Sequence, residues 1–284
     1  AAFDKLSRGQ LAEGDVVKRK ALILQAQQQI VDDNALFLLG WGPSIIEAYN
    51  KERVGGVKPI STFGIATPDL PWNMIDATPL KGQKRLNIGT RSLISVVNPF
   101  GSGPPLDRSV ARMLFDTYAQ LDRDLNVVPW AAESWKQIDP RTFEIKLRSG
   151  MTFSDGKPVT VEDVKFSMDF LLKYDRGVYW AVNQFLEKAE VTDANNRLVR
   201  FTFKAPYGQF ESQFLLQNRI FPKHIWDGIM ERYGVTNPAQ LNLKDNEVVG
   251  SGLFKWTGFY KKDTELLLAA NKIRSNRGAM QTSI

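Results

Sequence analysis

The sequence predicts an α/β fold, a mixed sheet with flanking helices, and three observations carry that prediction. Segments 143–148 and 197–204 alternate apolar and polar residues with the period of a half-buried strand. Segments 15–32 and 160–175 instead space their apolar residues as helices do, each behind a capping residue. Helical and strand patterns follow one another without regular βαβ alternation and without an internal repeat.

In DVVKRKALILQAQQQIVD (15–32), Asp15 is the cap, and Val16, Ile23, Ala26 and Ile30 share one face. The apolar run ALFLLGW (35–41) reads as a buried strand. Tyr49-Asn50 and VGGVKP (54–59) supply turn chemistry, and 60–83, rich in Pro, Gly and Thr, reads as an extended return or linker. A strand is expected at RLNIGT (85–90), then the loop VNPFGSGPP (97–105) and a helix over LDRSVARMLFDTYAQLD (106–122). Phe143, Ile145 and Leu147 should face the core while Glu144, Lys146 and Arg148 face water; Val199, Phe201 and Phe203 repeat that logic. After an Asp155-Gly156 turn, Thr160 caps a helix with Asp163 at the capping-box position and Val164, Met168 and Leu171 on its apolar face. Residues 248–271, VVGSGLFKWTGFYKKDTELLLAAN, read as a two-stranded hairpin with a Gly-rich entry.

Composition narrows the chemistry. The chain has 284 residues, 43 % of them hydrophobic, enough for one large or two ordinary domains with a real core. No apolar run approaches the roughly 20 residues that span a bilayer, and the amino terminus lacks a basic-then-apolar signal pattern. With no cysteine, disulfides, thiol catalysis and thiolate metal sites are excluded. The single histidine, His224, leaves no ingredients for a His-based triad or a multi-His metal site, and beside Pro222 and Trp226 it reads as structural. The net charge of +6 comes from basic residues scattered among acidic ones, a solvated mixed surface rather than a nucleic-acid interface. The GSG stretches at 101–103 and 250–252 match no phosphate-binding fingerprint and read as turns; Asp32-Asp33 and Glu162-Asp163 read as helix-end caps rather than acid/base pairs. No catalytic residue, cofactor or metal ligand is expected.

DRDLNVVPWAAESWKQIDPRTFEIKLRSGMTFSDGKPVTVEDVKFSMDFLL resembles the signature region of the bacterial extracellular solute-binding proteins, family 5, the oligopeptide, dipeptide and nickel-binding receptors of ABC importers. The resemblance rests on Pro129, Ala132-Glu133-Ser134-Trp135, the strand to Leu147-Arg148, Gly150, Phe153, Asp155-Gly156, Thr160 and Glu162-Asp163-Val164. IFPKHIWD (220–227) and VVGSGLFKWTGFY to Asn271 follow in the family's order, so the likeness covers about 85–271. Residues 1–60 (AFDKL, DVVKRKALILQAQQQIVDDNALFLLGW, EAYNKERVGGVKP) resemble the family's carboxyl end, here placed first. The resemblance thus implies one lobe of a type II periplasmic-binding-protein-like fold, circularly permuted. Residues 1–76 would be its carboxyl-terminal segment, 77–84 a seam, 85–271 its amino-terminal segment and 272–284 a non-family tail, with no counterpart of the second lobe. Engineering and tandem receptor copies would both produce this order; GAM (278–280) resembles a cloning scar.

In such receptors two lobes close on a solute about a hinge and no chemistry is catalysed. The resemblance places Arg91, Ser92, Leu93 and Ile94 where the first lobe touches ligand backbone, and Tyr179, Trp180 and Trp41 as aromatic lining of the cleft. Each also has a plain structural reading: strand-end packing, a loop anchor and a core tryptophan. The implied partners are a small solute, a peptide above all, and the membrane permease of an ABC importer, with a periplasmic or extracellular location for the exported parent. The rival reading is a lobe-derived scaffold that binds no ligand and self-associates through its exposed cleft face.

Overall fold

The computed structural model describes residues 2–33, 46–60, 63–65, 70–82, 84–89, 97–101, 105–174, 177, 179–261 and 264–271. Helices α1 (Ala2–Ala12) and α2 (Val16–Asp33) come first and pack on each other, Gly9 lying against Leu22. The Asp15 cap forms as expected, its Oδ1 accepting from the amides of Val17 and Lys18 at 2.9 and 3.0 Å. The face does not: Val16 and Ile30 are exposed, and only Ile23 and Ala26 of the expected stripe are half-buried. Helix α1, which the sequence reading did not anticipate, covers just that part of α2. The expected strand at 35–41 lies outside the described residues.

Strand β1 (Val54–Gly55), helix α3 (Trp72–Asp76) and strand β2 (Thr78–Pro79) make a small closed unit in which β1 pairs antiparallel with β2. The expected strand at 85–90 is not formed over 85–89, which is irregular and largely exposed. Strand preference is expressed only against a pairing edge, and here none is offered. Helix α4 (Pro105–Leu114) is shorter than its pattern. Thr117 donates from Oγ1 to the Ala119 carbonyl at 2.7 Å, and 119–121 is already strand β3, paired with β4 (Val127–Pro129). Local side-chain bonding by Thr117 competes with helix continuation.

The centre is a four-stranded sheet in the order β5 (Ala132–Asp139), β6 (Thr142–Leu147), β8 (Leu198–Phe203), β7 (Leu186–Asp193). Every pairing among the described residues is antiparallel. Phe143 pairs with Phe201 and Ile145 with Val199, so the two alternating patterns lie in register on one face. Helix α5 (Val161–Tyr174) buries Val164, Met168 and Leu171 completely in the same core. Its start is fixed by Asp163, which accepts from the Thr160 amide at 2.9 Å and the Thr160 hydroxyl at 2.8 Å. Helix α6 (Trp180–Asn183) precedes β7. After β8, a wide turn over Phe210–Phe214 runs into α7 (Leu215–Gln217), followed by α8 (Lys223–Trp226) and α9 (Ile229–Tyr233). The turn stacks Phe210 on Phe143 at 4.1 Å and sets Phe214 5.0 Å from Phe201. The expected terminal hairpin is β9 (Phe254–Lys261) and β10 (Glu265–Ala270).

Among the described residues, the amino-terminal 80 residues touch this body at two places. The α1–α2 pair is clasped to Gly208, whose amide donates to Leu11 O at 2.8 Å while Arg19 donates to Gly208 O at 2.7 Å and to Ser212 Oγ at 3.1 Å. Farther on, Trp72 Nε1 donates to Leu121 O at 2.6 Å and Arg123 pairs with Asp76 at 2.8 Å. Ile75, Trp130 and Leu253 form a second small core there.

Glu144 departs from its expected place in water: it is 4 % exposed. Burial alone would raise its carboxyl, but Lys136 at 2.9 Å, Arg200 at 2.9 Å and Thr192 at 3.2 Å together hold it below the ordinary carboxylate range. A depressed folded value means stability that is present above the unfolded pKa and lost as pH falls through the folded one. Glu144→Gln should therefore cost about 1–3 kcal/mol at neutral pH. Urea melts of both proteins should show that gap closing on acidification below about pH 4; a gap independent of pH would refute the assignment.

Candidate functional site

The corner where α4, α6 and the residues before α8 meet holds the sequence-predicted aromatics. Tyr179, just before α6, is 2 % exposed. Its ring meets Phe100 edge-on at 5.3 Å and Phe221 at 6.4 Å, and its hydroxyl donates to the Pro99 carbonyl at 3.0 Å. Trp180, the next residue, is half-buried and so retains a solvent-facing edge. Adjacent positions thus divide the work: one anchors the loop at 97–101, the other reaches the surface. Arg91, Ser92, Leu93, Ile94 and Trp41 lie outside the described residues.

A buried polar frame holds this corner. Asn98 donates from Nδ2 to the carbonyls of Pro238 and Leu241, each at 2.9 Å, and its Oδ1 accepts from the Phe100 amide at 2.9 Å. Arg219, 4 % exposed, donates to the Tyr179 hydroxyl and stands over that ring at 5.4 Å. Asn183 of α6 donates to Asn218 Oδ1 at 2.8 Å, and Asn218 to Phe214 O at 3.2 Å. Each contact spends a buried polar group on tying one loop to another, which stiffens the support beneath Trp180. The sequence reading missed Asn98, Asn183, Asn218 and Arg219. The signal was present in FLLQNRIFP (214–222), where Gln-Asn-Arg interrupts an apolar run.

The frame's carboxylate neighbour, Asp116, accepts from Trp130 Nε1 at 2.8 Å, and its backbone carbonyl accepts from Ile220 N at 3.1 Å. Burial pushes the Tyr118 and Tyr207 phenols far above the usual tyrosine value, so neither supplies a phenolate. Among the described residues no cluster of three His, Cys, Asp or Glu is placed to hold a metal ion. His224 has the structural place its neighbours suggested: Nε2 is 2.7 Å from Asp155 Oδ2 and the ring meets Phe153 at 5.7 Å, tying the Asp155-Gly156 turn to α8.

Comparison with known proteins gives this geometry its relatives. Residues 126–273, just over half of the chain, match the model for "Bacterial extracellular solute-binding proteins, family 5 Middle". The chain is similar to the oligopeptide-binding protein AppA of Bacillus subtilis, 28 % identical over 193 residues, covering 66 % of this chain and 33 % of AppA. The glutathione-binding protein GsiB of Pectobacterium atrosepticum is 22 % identical over 193 residues, with 66 % of this chain and 34 % of GsiB covered. The structure of AppA in complex with a nonapeptide superposes with a TM-score of 0.52 over 66 % of this chain and 36 % of that one, at 28 % identity. A mannohexaose-bound oligopeptide-binding protein of an ABC transporter from Thermotoga maritima gives 0.53 over 65 % and 32 %, at 27 % identity. The chain therefore spans about a third of the length of the relatives it matches.

Proposed function

Because the chain belongs to the bacterial extracellular solute-binding proteins, family 5, we propose that it is one lobe of the substrate-binding component of an ABC-type importer, whose parent captures peptides or similar small solutes by two-lobe closure. The observation that carries the reading is the match over 126–273, with superposition on a peptide-bound receptor across two-thirds of this chain and about a third of that one. The lobe is circularly permuted: residues 1–76 stand for the carboxyl-terminal segment and 85–271 for the amino-terminal one. The clasp at Gly208 and the Trp72–Leu121 bond, which join the early segment to the later body, support that reading. The parent works outside the cytoplasm with a membrane permease. Among the described residues no helix is long and apolar enough to cross a membrane.

Trp180 is the ligand-facing aromatic in this scheme, and Tyr179 holds the loop behind it. From the family resemblance, Arg91, Ser92, Leu93 and Ile94 are assigned to contact with ligand backbone and Trp41 to the aromatic lining. A half-cleft lacks the second lobe's contacts and the closure step, so this chain should bind short peptides only weakly, with Kd above about 100 μM, an affinity worth roughly 5.5 kcal/mol or less.

Titrating peptide to millimolar concentration while recording amide and indole NMR signals tests this. The expected result is a saturable shift of the Trp180 indole N–H and of nearby backbone amides, with the amide shifts lost in Trp180→Ala without loss of the fold. Sub-micromolar one-to-one binding would overturn the single-lobe reading. Absence of any shift near Trp180 would overturn the site.

A further inference from the structure

Helix α2 carries an apolar stripe on the side away from α1. Val17, Leu24 and Val31 are 78 %, 54 % and 66 % exposed, seven residues apart, and so nearly collinear along the helix. Ala21 lies between the first two and is also exposed. The opposite side, Arg19, Leu22, Ile23, Ala26 and Gln29, is the half-buried one. The stripe is symmetric in sequence about Leu24, with valine seven residues before and seven after it.

We propose that α2 pairs antiparallel with α2 of a second copy of this chain, around a two-fold axis at Leu24. In that arrangement Leu24 meets Leu24 of the second copy, and Val17 meets Val31 at both ends, a self-complementary contact. The rims complement each other as well. On one side Val16 comes beside Ile30 of the second copy. On the other, Lys18 comes beside Asp32 of the second copy, two residues apart in height, or about 3 Å along the axis. Lys20 faces the neutral Gln27. Parallel pairing at the same register would bring Lys20 close to Lys20 beside the seam, and would align the helix dipoles unfavourably. The charge pattern and the dipoles therefore favour the antiparallel direction. This surface is separate from the corner at Trp180, so the inference stands whatever solute is bound there.

The chain has no cysteine of its own, which makes cross-linking unambiguous. Leu24→Cys should form a disulfide-linked dimer under mild oxidation. Val17→Cys and Val31→Cys should each form no disulfide alone and cross-link with each other when mixed. Self-linking of Val17→Cys without the mixed product would mean a parallel contact and would overturn the proposal. Sedimentation equilibrium on the unmodified chain should show mass rising towards that of a dimer with concentration, and Leu24→Lys should shift that rise at least tenfold upward. A mass that stays monomeric to about 1 mM, together with no Leu24→Cys product, would overturn it too, and would leave the stripe to another part of a longer protein.

Discussion

Gly250→Ala is expected to destabilise the protein by more than about 3 kcal/mol, the range of strain that has no cheap escape. A Cβ at Gly250 would stand 2.0 Å from the Leu114 carbonyl oxygen and 3.0 Å from the Phe115 ring. The obstacle is backbone at the end of α4, so no rotamer change relieves it. The close approach exists for a reason: Gly252 N donates to Leu114 O at 2.9 Å, satisfying a carbonyl that the helix itself leaves open. Gly252 is similarly tight, 2.3 Å from Met113 O, and Asn271 Nδ2 pins the segment from beyond by donating to Gly252 O at 3.0 Å. Gly156 offers the control for space, since nothing lies within 4 Å of its Cβ position, although its φ of +89° still disfavours alanine. Chemical denaturation of the two variants should rank Gly250→Ala well below Gly156→Ala. Equal stabilities would refute the close-packing account.

Phe201→Ala should cost about 3–5 kcal/mol, the range for an aromatic removed from a filled core. Phe201 is fully buried on the central strand β8, paired with Phe143 and surrounded by Tyr118 at 5.9 Å, Phe210 at 6.2 Å and Phe214 at 5.0 Å. These neighbours come from β6, from the segment before β3 and from the turn after β8, so collapse into the cavity would need several elements to move together. Thr202, the next residue, points to the half-buried face and its truncation to alanine should cost no more than about 1 kcal/mol. A thermal or urea melt that ranks Thr202→Ala as the more damaging would show the strand to be inverted.

Much of this was legible in the sequence. Alternation at 143–147 and 199–203 named the inward residues of the two central strands, because a sheet with one wet face imposes a period of two. Thr160 with Asp163, and Asp15 before its helix, marked helix starts because capping is a contact between near neighbours. The GSG at 250–252 reads as a turn in the sequence, and it packs as one against the end of α4. Glu144 was misplaced for a physical reason: its position in the alternation is outward, but Lys136 and Arg200 come from flanking strands and fold over it. The length of α4 was overread because its apolar spacing continues past Leu114, where Thr117 and the Gly252 amide end it.

The candidate site was legible only as a neighbourhood. Tyr179 and Trp180 were named together from a resemblance, and tertiary packing separates them, enclosing the first among Phe100, Phe221 and Arg219 and leaving the second partly open. By itself the sequence determined the elements whose cause is local: caps, turns, strand faces and the apolar side of α5. Only the tertiary structure decided which face of α2 is covered, that Glu144 is enclosed, and which polar residues lock the corner at Trp180. Those outcomes depend on partners from tens to well over a hundred residues away, such as Arg19 with Gly208 or Asn98 with Pro238. Periodicity describes a segment's own geometry, whereas burial and charge pairing are properties of whatever the fold brings against it.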